Sequence, residues 1–308
     1  MKAAVLDAAG PPSALHVRQI EVPPVASGEV LIALDYASIG IWDAEQRAGA
    51  WGDVKAGTIP GIDGSGTIAA IGADVAGLQI GDLVYAYSFG NPHGFYAEYV
   101  SVPGDRAWHV PPGLDQKVAG AIPCVALTAQ SGLEALKLEP GKTLLVFGAS
   151  GGVGSLAVWL AAQAGLTVIG TARADAHAYV RGLGAARVVD PRSRDIASVL
   201  ADITPGGIDG VLLTASGDAL AAIGPTLAAA APIAYPNGVE RAPHLDGHPS
   251  IAFDGEMGRA AFDRLNRAIG TRTIPLRIET FALEDVVAAH ERLEAGHIVG
   301  KIVLAERA

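Results

Sequence analysis

The apolar residues follow two different patterns along the chain. Up to about residue 110, short apolar runs such as 30–34, 82–85 and 95–100 are separated by glycines and prolines. Short runs with frequent turns and no long helical period are typical of a β-rich domain. From 115 to 138, the apolar residues instead recur at the spacing of a helix. The sequence therefore predicts a change of architecture between these two stretches.

Strand and helix patterns alternate between residues 143 and 255. The predicted strands cover 144–147, 167–171, 187–190, 209–214, 231–235 and 250–254, and the predicted helices cover 152–164, 174–183, 193–203 and 217–229. This alternation is typical of a parallel sheet with helices on both faces. The last stretch, 275–308, contains a strand, a helix near 284–295 and a final strand at 301–304. We expect this stretch to return to the N-terminal domain.

A glycine-dense turn follows the apolar strand that ends at Phe147. It consists of Ala149, Ser150, Gly151, Gly152, Val153 and Gly154, with Ala149 where the usual motif has its first glycine. Glycines permit a tight strand-to-helix turn and let a pyrophosphate approach the backbone. The N–H groups and the dipole of the helix that begins near Gly152 favour such an anion. We therefore predict that these six residues bind a dinucleotide, rather than forming an ordinary glycine-rich turn.

The end of the next strand favours NADPH as the cofactor. NAD-binding units place a carboxylate about 20 residues after the glycines, but this strand ends in Thr171-Ala172-Arg173. An arginine can bind a 2′-phosphate through two hydrogen bonds, whereas Asp175 is better placed to cap the following helix. We expect Arg173 to contact the 2′-phosphate; the alternative is a solvated surface arginine.

Composition narrows the choice of partners. The 308 residues are 50% hydrophobic and 18% charged, with a net charge of −10, which indicates a globular chain with an acidic surface. Nucleic acid is an unfavourable partner because phosphate contacts need clustered Lys and Arg. The sequence shows no apolar run of the roughly 18–20 residues of a membrane span and no signal-peptide pattern. With a single cysteine, Cys124, we expect a cytoplasmic protein that binds neither nucleic acid nor membrane.

Six short segments carry a resemblance that covers the whole chain. They are residues 1–4, 60–66, 81–84, 94–100, 149–154 and 300–304. In this order and spacing the chain resembles the medium-chain dehydrogenase/reductase superfamily, and within it the zinc-independent quinone oxidoreductase branch. The resemblance implies an α/β fold with a GroES-like β-rich domain at 1–117 and 270–308 and a Rossmann domain, a doubly wound parallel sheet, at 118–269. It also implies hydride transfer from NADPH to a quinone or an α,β-unsaturated carbonyl, and a homodimer.

The resemblance also identifies the positions where a catalytic zinc ion would have its ligands. Zinc alcohol dehydrogenases of this superfamily use a Cys, a His and a second Cys; here the first falls near Gly40 and Ile41, the second is Ile62, and only Cys124 remains. Because a catalytic zinc needs three protein ligands, we expect no metal and predict that Cys124 is a small buried hydrophobe. Without a Lewis acid, alcohol oxidation is disfavoured.

The segment that carries Asn and Tyr in the quinone reductases departs from their pattern here. Trp42 stands near the Asn and Glu45 near the Tyr. Trp42 is a candidate stacking wall for a flat acceptor, and Asp43 is a candidate for orienting cofactor or substrate. The alternatives are core packing for Trp42 and a helix N-cap for Asp43. Thr128 matches a position that often faces the nicotinamide in the family. His177 stands about where the quinone oxidoreductases carry a phosphate-binding Lys, and the resemblance therefore implies that it assists Arg173; the alternative is a solvated surface side chain.

The later strand ends supply further candidates, because ligands bind at the carboxyl ends of parallel strands. Ser216, Gly217, Asn237 and Phe253 are predicted to lie near the cofactor, with Phe253 as a wall for the nicotinamide. The alternative for each is an ordinary loop residue. Edge pairing of the strands near 231–254 is the expected route to a homodimer.

Two other functions remain open. An enoyl-thioester reductase would need a basic rim for the phosphates of the thioester carrier, and it usually relies on the Tyr that is missing at Glu45. A low-turnover NADPH-binding redox sensor or partner protein would be consistent with the departures at Trp42 and Glu45.

Overall fold

The computed structural model describes residues 1–91, 93–193, 195–215, 220–237 and 244–306. The chain forms two compact units. Unit 1 comprises Met1–Cys124, Met257–Thr273 and Arg277–Ala308, and unit 2 comprises Val125–Glu256 and Ile274–Leu276.

Strands dominate unit 1, whereas strands and helices alternate in unit 2. The strands are β1 (Lys2–Val5), β2 (His16–Gln19), β3 (Glu29–Ile39), β4 (Asp63–Ile71), β5 (Leu83–Tyr87), β6 (Tyr99–Pro103), β7 (Ala107–His109), β8 (Thr143–Phe147), β9 (Thr167–Thr171), β10 (Arg187–Val189), β11 (Gly210–Leu213), β12 (Ile233–Pro236), β13 (Ser250–Phe253), β14 (Ile278–Ala282) and β15 (Lys301–Ala305). The α-helices are α1 (Ile41–Ala48), α2 (Gln116–Ala121), α3 (Pro123–Leu136), α4 (Gly152–Gln163), α5 (His177–Gly182), α6 (Ile196–Ile203), α7 (Leu220–Ile223), α8 (Arg259–Ile269) and α9 (Val286–Glu294).

Unit 1 is built on a seven-stranded sheet. Its strands follow the order β14-β15-β3-β4-β5-β7, and β6 pairs with β3 beside this path. Strands β14 and β15 run parallel, and the other neighbours run antiparallel. The central strand β3 buries Val30, Ile32 and Leu34 completely, so its apolar residues form the middle of the core. The C-terminal strand β15 therefore lies within the sheet of the N-terminal segment.

Helix α8 belongs to unit 1. The Phe262 ring stacks on Trp108 of β7, with centroids 3.6 Å apart, and meets Tyr85 of β5 edge-on at 5.1 Å. The sequence-based boundaries lie at 117/118 and 269/270, whereas the compact units divide at 124/125 and 256/257. The second difference arises because Phe262 of α8 packs on Trp108 of β7 and Tyr85 of β5, within unit 1.

Unit 2 contains a six-stranded sheet in which every pair of neighbours is parallel. The strand order is β10-β9-β8-β11-β12-β13. The chain thus winds outwards from β8 in both directions, which is the doubly wound arrangement. This confirms the predicted parallel sheet and places the glycine turn after β8, its first strand.

Helix α7 is shorter than the pattern predicts. The sequence predicts a helix over 217–229, but the described part of this stretch contains α7 followed by a 3₁₀ turn at Gly224–Thr226. The helix ends here because Pro225 has no N–H to donate and disfavours helical geometry in the residue before it.

Candidate functional site

The glycine turn brings the start of α4 close to the end of β8. Gly148 has a positive φ of 74°, which few other residues adopt. At Gly154, a Cβ atom would lie 2.1 Å from the Gly148 carbonyl oxygen, so only glycine permits this contact. Gly151 is the N-cap of α4 and provides no side-chain cap, which leaves the first N–H groups of the helix for another acceptor. The arrangement is a cradle for a phosphate group.

The side chain of Ala149 lies on the opposite side of this turn. It is fully buried, and a Cβ atom at Gly170 of β9 would lie 2.8 Å from the Ala149 Cβ. Gly148 donates its N–H to the Thr171 hydroxyl at 3.1 Å. These contacts fix the turn against β9, and they involve Gly148, Gly170 and Thr171, which the sequence analysis did not single out.

Arg173 follows β9 and is half-buried. Its Nε atom is buried and has no hydrogen-bond partner within the described residues. An unpaired guanidinium N–H is costly unless a ligand accepts from it. The Arg173 Nε–H group is therefore a hydrogen-bond donor available to an anion at the site predicted for the 2′-phosphate.

Two further charged residues lie at the end of β10. Arg192 binds Asp190 with an Nη2–Oδ2 distance of 2.6 Å, and this hydrogen bond lowers the pKa of Asp190 to about 2. His177 also lowers the pKa of Asp190 through its charge, which places the three side chains close together. The His177 ring nitrogen Nε2 lies 3.0 Å from the Ala172 carbonyl oxygen, so one of its two nitrogens is already engaged. Asp190 and Arg192 had no signal in the sequence, because they follow β10 and not β9, where the dinucleotide motif places its ribose-binding residue.

Asp175 does not cap the next helix. A 3₁₀ turn at Ala174–Ala176 separates β9 from α5, and Ala176 occupies the N-cap position of α5 without a side-chain cap. The predicted cap is therefore wrong, because the extra turn moves Asp175 out of the capping position.

Unit 1 contains a buried cluster of ionisable groups around the start of α1. Gly40 donates its N–H to Asp43 Oδ2 at 2.7 Å, Cys124 donates its N–H to Asp63 Oδ2 at 2.9 Å, and Lys301 Nζ donates to the Ile39 carbonyl at 2.8 Å. Asp43, Asp63 and Lys301 are all buried. We call these three residues the acid–lysine cluster.

The acid–lysine cluster has two carboxyl groups and one ammonium group. Burial raises the pKa of Asp43 to about 7 and that of Asp63 to about 6, and the charge of Lys301 opposes both shifts. One positive charge can balance only one carboxylate in a low-dielectric interior. The cluster therefore holds a proton near neutral pH. The buried Tyr96 hydroxyl lies beside the Asp43 carboxyl group and opposes part of the rise in its pKa.

Arg47 anchors the other end of α1. It is buried and hydrogen-bonds to the Gly10 carbonyl, to Glu294 and, at 3.3 Å, to His290 Nδ1. Burial and the nearby Arg47 lower the pKa of His290 to about 4. These contacts tie α1 to α9 and so hold the segment that carries Trp42 and Asp43.

Comparison with known proteins agrees with this architecture. Residues 26–112 match the alcohol dehydrogenase GroES-like domain, and residues 183–304 match the zinc-binding dehydrogenase domain. An NAD-dependent alcohol dehydrogenase of Sulfurisphaera tokodaii is 30% identical over 233 residues, which cover 64% of this chain and 67% of that protein. The chain belongs to the medium-chain dehydrogenase/reductase superfamily. This confirms the predicted fold class, a GroES-like β-rich part and a Rossmann-type sheet.

Other members of the superfamily are similar over different lengths. Alcohol dehydrogenase 1 of Caenorhabditis elegans is 28% identical over 64% of each chain, so this chain spans about two thirds of the curated alcohol dehydrogenases that it matches. A quinone oxidoreductase of Coxiella burnetii has a TM-score of 0.86 at 29% identity, covering 100% of this chain and 99% of that one. The Escherichia coli quinone oxidoreductase complexed with NADPH has a TM-score of 0.85 at 20% identity and 99% coverage of each chain, which shows a shared fold.

The zinc associated with part of the superfamily does not suit the side chains of this member. Within the described residues, no three His, Cys, Asp or Glu side chains are grouped so that they can hold a metal ion. Ile62 is buried beside Asp63, and Cys124 lies in the core, where burial raises the pKa of its thiol to about 12. A neutral thiol is a poor zinc ligand. The described side chains at these positions therefore do not fit a catalytic zinc ion.

The remaining predicted cofactor residues have different surroundings. Phe253 is buried at the end of β13, where its ring meets α3 at Gly132, so its packing on α3 accounts for much of its burial. Asn237 is exposed after β12 and donates its N–H to the Phe253 carbonyl at 2.8 Å. Thr128 lies on α3 and faces Gly255. Ser216 and Gly217 lie outside the described residues.

Asp43 occupies a different helix position from the one considered in the sequence analysis. Gly40 is the N-cap of α1, and Asp43 is the third helical residue, whose carboxylate reaches back to the Gly40 N–H. Trp42, on the same turn, is half-buried and lies 6.0 Å from Trp51, measured between ring centroids. Trp42 is therefore not a core residue, because part of its ring remains accessible.

We expect the Asp43→Asn variant to lose less stability than the wild type as the pH rises from about 4 to 8. The pKa of Asp43 is about 7 in the folded chain, compared with 3.8 for an aspartate in an unfolded chain. A raised folded-state pKa gives stability that is complete below the unfolded pKa and is lost as the pH rises through the folded pKa. The difference in the free energy of unfolding should be on the order of 3 kcal/mol.

Urea unfolding of both proteins across this pH range measures the difference. Asp53, which is exposed, provides the matched control, and Asp53→Asn should leave the pH dependence of the wild type unchanged. Parallel pH dependence in wild type and Asp43→Asn would show that Asp43 is not the titrating group.

Proposed function

We propose that this protein is a metal-independent oxidoreductase that transfers a hydride from NADPH to a quinone or an α,β-unsaturated carbonyl. The observation that carries the proposal is the pairing of the glycine cradle with Arg173 at the next strand end, whose buried Nε has no hydrogen-bond partner within the described residues. A cradle of backbone N–H groups suits a pyrophosphate, and a guanidinium suits a 2′-phosphate. The 29% identity to the quinone oxidoreductase of Coxiella burnetii supports the acceptor class.

Different residues of unit 2 would bind different parts of the cofactor. The N–H groups at the start of α4, within Ser150–Gly154, would receive the pyrophosphate, and Arg173 with His177 would receive the 2′-phosphate. Ala149 would contribute through its backbone, since its side chain is buried. Thr128, Ser216, Gly217, Asn237 and Phe253 remain proposed contacts for the rest of the cofactor. When bound, NADPH supplies the hydride.

Reduction of a conjugated acceptor consumes a proton as well as a hydride. We propose that Asp43 holds this proton, because burial raises its pKa to about 7. A group with a pKa near the working pH exchanges protons most effectively. Burial raises the pKa of Asp63 only to about 6, so Asp63 gives up its proton first and Asp43 is the carboxyl group that still holds a proton near pH 7. Trp42 offers a partly accessible indole face to a flat acceptor.

We also propose that the protein is a cytoplasmic homodimer. Strand β13 is the last strand of the parallel sheet, so its outer N–H and C=O groups can pair with a second copy. No helix of the described chain is both long and apolar enough to cross a membrane.

Enoyl-thioester reduction is the second candidate function. A mycocerosic acid synthase-like polyketide synthase of Mycobacterium tuberculosis is 32% identical over 203 residues, which cover 9% of that protein. This similarity is the observation that favours a thioester acceptor.

The oxidation of NADPH and NADH, followed with a panel of acceptors, tests the proposal. The panel contains benzoquinone, phenanthrenequinone, cyclohexenone, an enoyl-thioester and no acceptor. We expect turnover of a quinone or the enone with NADPH, unchanged by a chelator. Turnover of the thioester alone would favour the second candidate. Tight NADPH binding without turnover would favour a redox sensor, and inhibition by the chelator would contradict metal independence.

A further inference from the structure

Three aromatic rings form a row on unit 1. Trp51 follows α1 and Phe89 follows β5. The Trp42 and Trp51 centroids are 6.0 Å apart with an interplanar angle of 43°, and the Trp51 and Phe89 centroids are 5.3 Å apart at 48°. Because the rings are tilted, they do not cover one another as a parallel stack would. We call Trp42, Trp51 and Phe89 the aromatic row.

The aromatic row is unusually exposed. Trp51 is 44% exposed and Phe89 is 49% exposed, whereas Trp108 and Trp159 are only 5% and 3% exposed. The chain therefore buries two of its four tryptophans in its cores and places the other two in this row. A cluster of solvent-exposed aromatic side chains is characteristic of a binding surface.

The row adjoins the acid–lysine cluster. A Cβ atom at Gly40 would lie 4.0 Å from Trp42 Cδ1, 3.7 Å from Asp43 Oδ2 and 3.8 Å from Lys301 Nζ. One end of the aromatic row and the proton-holding group therefore meet at the start of α1. The Trp42 end of the row therefore lies beside the buried residues to which we assign the proton.

We propose that Trp51 and Phe89 extend Trp42 into a platform that selects acceptors with fused aromatic rings, such as a polycyclic quinone. This inference rests on the proposed function. A quinone ring is electron-poor, and the face of an indole ring carries negative charge, so the two attract each other when stacked. A single-ring quinone contacts one side chain of the row, whereas a fused-ring quinone stacked on the Trp51 indole also reaches the tilted ring beside it.

The charges beside the platform agree with a neutral ligand. Asp53 and Lys55, which follow Trp51 in the sequence, are both exposed and have opposite charges. The polyphosphate tail of a thioester carrier needs several cations together. An aliphatic enone has no extended ring system to stack. Among the acceptors considered, a fused-ring quinone therefore fits the platform best.

The test compares KM values for phenanthrenequinone, benzoquinone and cyclohexenone with NADPH. We expect Trp51→Ala to raise the KM for phenanthrenequinone about tenfold, to raise that for benzoquinone less than about threefold, and to leave the KM for cyclohexenone and all kcat values near those of the wild type. Trp51→Phe should restore most of the affinity, and Phe89→Ala should have a smaller effect in the same direction. Ile80→Ala, at a residue that is 68% exposed, is the control for loss of an exposed apolar side chain.

Calorimetric titration of phenanthrenequinone without NADPH separates this inference from the proposed function. Binding that Trp51→Ala weakens about tenfold, in a protein that reduces no acceptor, would support the platform and overturn the reductase. Equal KM changes for all acceptors, no change, or no binding by the wild type would overturn the platform. A change in oligomeric state measured by sedimentation, with unchanged KM values, would assign the row to a protein interface and would also overturn the platform.

Thiol adducts of the quinones do not complicate the assay, because the only cysteine, Cys124, is buried.

Discussion

Arg173→Glu should weaken NADPH binding about 100-fold and change NADH binding less than about threefold. The variant loses charge-assisted hydrogen bonds to the 2′-phosphate and places a carboxylate beside it, which together correspond to about 3 kcal/mol. NADH has no phosphate at this position, so the substitution should change the affinity for NADH little. The cost to folding should be small, because Arg173 Nε has no hydrogen bond to lose within the described chain.

Titration of each cofactor measured by fluorescence gives the two dissociation constants. Arg181→Glu is a matched control, since Arg181 is exposed on α5 and the variant makes the same charge change eight positions away. It should leave the preference for NADPH intact. Equal losses of NADPH and NADH affinity in Arg173→Glu would contradict phosphate recognition, and retained NADPH binding would transfer the role to Arg192.

The parallel sheet was predictable because its signals are local. An apolar strand, a glycine turn and a helix follow one another within residues 143–163, and the bounds of β8 and α4 each differ from the predicted ones by one residue at one end. Each signal depends on neighbours in sequence: branched residues for the strand, glycines for the turn and helical spacing after it. The helical stretch 115–138 was less well predicted, because Pro123 begins a second helix there.

The acid–lysine cluster had no such local signal. Lys301 reaches the Ile39 carbonyl across 262 positions of sequence, because β15 pairs antiparallel with β3 in the register Ile302 to Ile39. Asp63 joins them through the start of β4. Only the sheet brings these residues together. Asp43 was a candidate because of its place in the segment, whereas Asp63 and Lys301, so far apart in the sequence, resemble ordinary surface charges when each is considered alone.

Only one residue of the aromatic row was predicted from the sequence. Trp42 was a candidate stacking wall because of its place in the segment, but Trp51 and Phe89 were not identified. They lie in the irregular segments after α1 and β5, and neither segment has a periodicity that predicts where a side chain points. A cluster of exposed aromatic residues becomes recognisable only when their ring distances are known.

Gly154→Ala should abolish NADPH binding and destabilise unit 2 by about 3 kcal/mol or more. Its Cβ atom would lie 2.1 Å from the Gly148 carbonyl oxygen and 2.8–2.9 Å from the Gly148 carbonyl carbon and the Ala149 Cα. All three atoms belong to the backbone at the end of β8, so no side chain can rotate away. Either the turn or the start of α4 must shift, and overpacking of this kind costs about 1–3 kcal/mol or more. The same shift moves the N–H groups that form the cradle.

Two other glycine substitutions separate the effect on folding from the effect on binding. A Cβ atom at Gly182 of α5 would meet nothing within 4 Å, so Gly182→Ala should keep both stability and NADPH affinity. At Gly151, the nearest atom would be the Gly148 carbonyl oxygen at 3.6 Å; Gly151→Ala should therefore fold with a loss of about 1 kcal/mol or less and still bind NADPH more weakly, because its methyl group enters the cradle. Urea unfolding and NADPH titration of the three variants measure both quantities. Wild-type NADPH affinity in Gly151→Ala and Gly154→Ala would rule out this turn as the phosphate site, since a methyl group at either position changes the surface that the phosphate must approach.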